Sequence, residues 1–168
     1  QSQTGESFLT IQFVAAYVVA IPARIFGLSS DTAFLVVSVV FSFLASLAVF
    51  WLLLLVTENP YLSTVGTLFV LLFGTNVSGA SIINELLGFG STFFYLTFLR
   101  RYTPAVSFPF IFFLIGFVWL GLKSVKPLER YFYAILVSLC FAILTFSYFF
   151  HWTGMFAWMV CLAGLHFI

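Results

Sequence analysis

Long apolar runs separated by short polar clusters make up this chain, and the runs are continuous rather than alternating. A bilayer core of roughly 30 Å needs about 20 apolar residues in helical form. The first such run covers residues 8–26, with Pro22 and Arg24 near its far end, so a kink or an early stop is expected there. The second covers residues 32–56 and carries no charge. Ser29, Ser30 and Asp31 precede it as an N-cap cluster. The turn Thr57-Glu58-Asn59-Pro60 ends it and opens the next helix.

A third, shorter run covers residues 61–73 and is followed by the polar stretch 74–79. Residues 80–99 are ambiguous. They hold Asn84, Glu85, Gly88, Gly90 and Ser91 before Phe93-Phe94-Tyr95, which fits a span, an interfacial helix or a re-entrant segment. Arg100-Arg101-Tyr102-Thr103-Pro104 reads as a break, and residues 108–122 as a short fourth span. Residues 123–130 form a polar loop. Residues 131–150 form a full span with aromatic residues at both ends. His151-Trp152-Thr153-Gly154 is expected to break the chain before a last run to Ile168. This pattern predicts an all-α fold: a polytopic transmembrane helical bundle of about 5–7 membrane segments, with residues 1–168 forming one transmembrane domain.

Composition removes the competing classes. The chain is 63% hydrophobic and 7% charged, with a mean hydropathy of +1.20. Soluble domains carry about 25% charged residues. A soluble enzyme, a disordered region, a nucleic-acid binder and a disulfide-stapled secreted domain are excluded. A β-barrel would show alternating strands of about 10 residues. Cys140 and Cys161 both lie in apolar runs and are expected as small core residues. The chain starts at Gln1, and its methionines are Met155 and Met159, which predicts a processed chain or a piece of a longer one.

Charge leaves the orientation nearly undecided. Without a crossing by residues 80–99, Arg24, Arg100 and Arg101 oppose Lys123, Lys126 and Arg130. With a crossing, the split is four against two, which favours a cytoplasmic 123–130 loop.

No phosphate-binding loop, dinucleotide fingerprint, nucleophile elbow or zinc motif occurs. His151 and His166 are not spaced as a metal pair, so no metal site is expected. No cofactor is identified, and a divalent metal stays open. The polar residues at membrane depth are therefore the candidates. Arg100 and Arg101 can bind a lipid phosphate bidentately, or simply anchor a helix end. Glu85 is a carboxylate in an apolar stretch, which suits a base or an arginine partner, or the wet face of an interfacial helix. His151 and Trp152 suit a headgroup or sugar, or an interfacial aromatic belt. Glu6 precedes the first run and is the other carboxylate to consider, as a loop base or a solvated terminal residue.

Several blocks resemble the bacterial GT-C-type membrane glycosyltransferases, which use polyprenyl-phosphate sugars. Ala20-Ile21-Pro22-Ala23-Arg24-Ile25-Phe26-Gly27-Leu28-Ser29 is similar to the end of an early helix in that family. Arg101 to Phe110, with Pro104, Ser107 and Pro109, resembles the opening of a later span. Gly121-Leu122-Lys123-Ser124 and Glu129-Arg130-Tyr131 resemble a cytoplasmic basic loop, and Phe146 to Thr153 an aromatic-rich helix end on the active-site side. The resemblance implies transfer of a sugar from a polyprenyl-phosphate donor at the extracytoplasmic face of the bacterial inner membrane. It implies that Arg100, Arg101 and His151 face the substrate side. Its catalytic carboxylate sits in the first extracytoplasmic loop, where Glu6 is the nearest acid here. Two further functions fit the same residues: a non-catalytic integral-membrane subunit packed against other proteins, and, below it, a small transporter with Glu85 at the midplane. Membrane lipids are partners in every case, and nucleic acid in none.

Overall fold

The computed structural model describes residues 13–77 and 102–166, and all their regular elements are α-helices. They are α1 (Phe13–Phe26), α2 (Ser30–Thr57), α3 (Pro60–Val77), α4 (Tyr102–Lys123), α5 (Pro127–Ser147) and α6 (Phe149–His166). Three of them are long and apolar enough to cross a membrane: α2, α4 over Ala105–Lys123, and α5. Shorter apolar helices lie at Phe13–Phe26, Pro60–Leu71 and Phe149–Leu165. Outward side chains agree with a lipid environment. Leu35, Val39 and Phe43 on α2 and Ile135 on α5 are each more than 60% exposed, a surface that water would not tolerate in such quantity.

The caps follow from the local residues. Pro22 lies inside α1 without ending it; the stop comes at Gly27, whose φ of +61° allows the Leu28 N–H to reach the Ala23 carbonyl at 2.9 Å. Ser29 then caps α2 by accepting from the Thr32 N–H at 3.3 Å, as the polar cluster there predicts. Asn59 Oδ1 accepts from the Tyr61 N–H at 2.9 Å and starts α3, with Pro60 at its first position.

Four boundaries differ from the sequence expectation. α3 stays helical through Gly74 to Val77, because no proline interrupts it. α4 starts at Tyr102, six residues before the expected span, and takes in the supposed break at Pro104. A proline in a first turn removes an N–H that has no intrahelical partner anyway. α5 starts at Pro127, so Glu129 and Arg130 belong to its first turn rather than to a loop. The break expected at residues 151–154 falls earlier, at the extended Tyr148 (φ −155°, ψ 120°), and His151, Trp152 and Gly154 are helical. Thr153 Oγ1 donates to the Phe149 carbonyl at 3.0 Å and closes the first turn of α6.

The helix directions fix two ends. α3 runs antiparallel to α2, with Thr57 Oγ1 3.1 Å from Ser63 Oγ. α4 runs parallel to α2. Val106 packs with Val37 near the starts of both, and the Trp51 ring lies 5.7 Å and 5.4 Å from those of Phe113 and Phe117 further along. α5 returns antiparallel, joining Cys140 and Leu144 to Leu114. α3 therefore ends toward the end from which α4 starts. Residues 80–99, on whose crossing the charge count turns, lie outside the described residues.

Small residues let the helices approach. Ala15, Val19, Ala33, Val37 and Val106 form one buried cluster across α1, α2 and α4. Of the two cysteines, Cys140 is buried as expected, whereas Cys161 is exposed on α6; neither forms a disulfide.

Candidate functional site

α4 begins, and α5 gives way to α6, at the end of the bundle opposite the 123–130 turn. The extended Tyr148 redirects the chain there and brings the first turn of α6 against the start of α4. His151 Nδ1 lies 2.6 Å from Ser107 Oγ, a hydrogen bond between side chains 44 residues apart. Ser107 is fully buried, and His151 is half-buried. The imidazole is also held by its faces and edges. Its ring centroid is 4.8 Å from that of Tyr148, nearly perpendicular, and 6.4 Å from that of Phe108.

Depth along the bundle follows from helix geometry. Ser107 precedes Lys123 by 16 residues, which is about 24 Å of helix. That is most of the roughly 30 Å of a hydrocarbon layer, and it puts the pair near the end of the bundle opposite the basic turn.

With Nδ1 engaged by a hydroxyl, the proton on the ring decides its chemistry. If Ser107 donates to Nδ1, Nε2 carries the hydrogen and is a donor. If Nδ1 donates to Ser107, Nε2 is a bare acceptor and a base. Among the described residues, no side chain hydrogen-bonds Nε2.

Ser147, the last residue of α5, is fully buried, and its hydroxyl has no partner among the described residues. It lies one turn beyond Leu144 on the stripe Cys140–Leu144 that faces α4. Phe146 beside it touches Phe13 of α1 at a ring distance of 4.9 Å. From there a shallow apolar groove of about 420 Å³ follows α1, lined by Phe13, Val14, Tyr17, Val18, Ile21 and Pro22. Arg24 follows on the same helix, in its last turn, at the His151 end of the bundle.

No family model matches the chain, and no curated protein or solved structure is significantly similar to it.

The other candidates separate. Trp152 follows His151 but packs into the α5–α6 interface, with ring contacts to Phe141 at 6.4 Å and Phe149 at 5.6 Å. His166 ends α6 and stands apart from His151 in sequence by four turns of helix. Arg100, Arg101, Glu85 and Glu6 lie outside the described residues. Among the described residues, no three His, Cys, Asp or Glu side chains come together as metal ligands. The described acids are Asp31, exposed in the first turn of α2, and Glu58 and Glu129 at the opposite end.

Sequence reasoning did not give Ser107, Ser147 or Tyr148 a role. Ser107 and Ser147 lie within apolar helices, and nothing in linear order pairs Ser107 with a ring 44 positions away. Tyr148 carries no turn signal, since neither glycine nor proline stands near the break.

Proposed function

We propose that this chain is a membrane glycosyltransferase-like protein of the bacterial inner membrane, taking a sugar from a polyprenyl-phosphate donor at the face opposite the 123–130 turn. The supporting observation is one arrangement. A Ser107-anchored imidazole lies at the end of the bundle that also carries Arg24, and a shallow apolar groove runs along α1. A polyprenyl chain would lie along the groove, with its phosphate at the arginine level. His151 would meet the phosphate or the sugar through Nε2. The general base that such a transfer needs is assigned to Glu6 or Glu85, and Arg100 and Arg101 to the phosphate.

Native mass spectrometry of the chain in nanodiscs tests this reading. The intact chain should retain a polyprenyl-phosphate sugar in preference to the neutral polyprenol and to bulk phospholipid. His151→Ala should weaken retention by about tenfold, the loss of one hydrogen bond to a charged group. Equal retention of polyprenyl-phosphate sugar and polyprenol would overturn it.

A second reading has its own support: a non-catalytic integral-membrane subunit. Glu58 and Glu129 lie at the end of the bundle opposite His151, and Asp31 is exposed in the first turn of α2. Under this reading the chain co-purifies with a stoichiometric membrane partner and retains no polyprenyl-phosphate sugar.

A further inference from the structure

The α4–α5 turn is held by side-chain hydrogen bonds and leaves two apolar side chains exposed. Ser124 Oγ donates to Glu129 Oε2 at 2.7 Å, and Arg130 Nε donates to the Ser124 carbonyl at 2.7 Å. Lys126 Nζ pairs with Glu129 Oε1 at 3.1 Å, and Pro127 fixes the first position of α5. Inside this locked turn Val125 is 87% exposed and Leu128 is 80% exposed, among the most exposed large apolar residues described. Lys123, Lys126 and Arg130 are their neighbours in sequence, and Glu129 is the one acid in the turn.

Aromatic residues set the level of this turn. Trp119 stands one helical turn before Lys123, whose Nζ lies 4.9 Å from the Trp119 ring centroid. Tyr131 is exposed one turn into α5. Tryptophan and tyrosine collect at the headgroup layer, and a lysine folded back over tryptophan is a snorkelling side chain. Val125 and Leu128 therefore project at headgroup level.

We infer that the α4–α5 turn is a docking surface for an anionic bilayer, with Val125 and Leu128 inserted among the headgroups and Lys123, Lys126 and Arg130 contacting lipid phosphates. The inference is independent of the proposed activity. Each part has a physical reason. Burying the two apolar side chains favours insertion, and the excess positive charge favours anionic over neutral lipid. The internal hydrogen bonds of the turn mean that little conformational entropy is lost on docking.

The test is spin-label depth in nanodiscs, using the full chain with Cys140→Ala and Cys161→Ser and a label at Val125→Cys or Leu128→Cys. In discs containing anionic lipid, the label should be shielded from a water-soluble nickel relaxant and open to oxygen. In zwitterionic discs it should be more aqueous. Lys123→Gln with Lys126→Gln should remove the difference, with about a fivefold change in the inserted-to-aqueous ratio for each cation lost. The pair Lys123→Arg and Lys126→Arg should keep it, which separates charge from misfolding. A label equally aqueous in both lipids overturns the inference and leaves the turn open to a soluble partner. A label equally shielded in both overturns it too, because charge then plays no part.

Discussion

Ser107 and His151 tie α4 to α6 through one part-buried hydrogen bond. Such bonds between membrane helices contribute about 0.6 kcal/mol on average and up to about 1.7 kcal/mol, because the unfolded chain in lipid also finds partners. Ser107→Ala should therefore lower unfolding stability in bicelles by an amount in that range. Ser147 predicts the opposite sign. Its buried hydroxyl is desolvated without a partner, at a cost of about 1–3 kcal/mol. Ser147→Ala should raise stability by about 1 kcal/mol in the same unfolding measurement. A loss of stability would mean that the hydroxyl is bonded. A third residue carries backbone strain. Glu58 ends α2 in the left-handed region at φ +54°, a conformation that costs a residue with a side chain about 1–2 kcal/mol. Glu58→Gly should raise the melting temperature, with the helix content unchanged.

Among the elements, the α2–α4 contact depends on a missing side chain. Gly116 lies directly under the six-membered ring of Trp51, and a Cβ there would overlap it. Gly116→Ala should cost about 1–3 kcal/mol by overpacking. A Trp51→Phe partner should recover part of that loss in a double-mutant cycle, which would read a coupling between the two helices. The elements themselves were largely legible in order. Charge-free runs marked α2, α4 and α5, the Ser29–Asp31 cluster marked the start of α2, and the Thr57–Pro60 turn marked the start of α3. The boundaries were less so. Pro104 looked like a breaker and sits harmlessly in a first turn, while the true break at Tyr148 bears no breaking residue at all. Tertiary packing of Ser147 and His151 against α4 decides that corner, and packing is invisible in linear order. Of the site, His151 was legible from its polarity at the end of an apolar run. Its partner was not, since linear order does not show that a serine hydroxyl within an apolar helix reaches a ring 44 positions away.

At the scale of the molecule, the bundle has two chemically different ends. One carries the ordered basic turn with Lys123, Lys126 and Arg130. The other carries Arg24 and the Ser107–His151 pair. Helix directions place these at opposite ends of the bundle, and α4 between the Ser107 level and Lys123 is long and apolar enough to cross the hydrocarbon layer. Thiol labelling in sealed vesicles measures this directly, in a chain carrying Cys140→Ala and Cys161→Ser. With single cysteines at Arg24→Cys and Ser124→Cys, an impermeant maleimide should label one from outside and the other only after the vesicles are opened. Labelling of both from the same side would contradict the transmembrane arrangement and, with it, the placement of the His151 corner across the membrane from the basic turn.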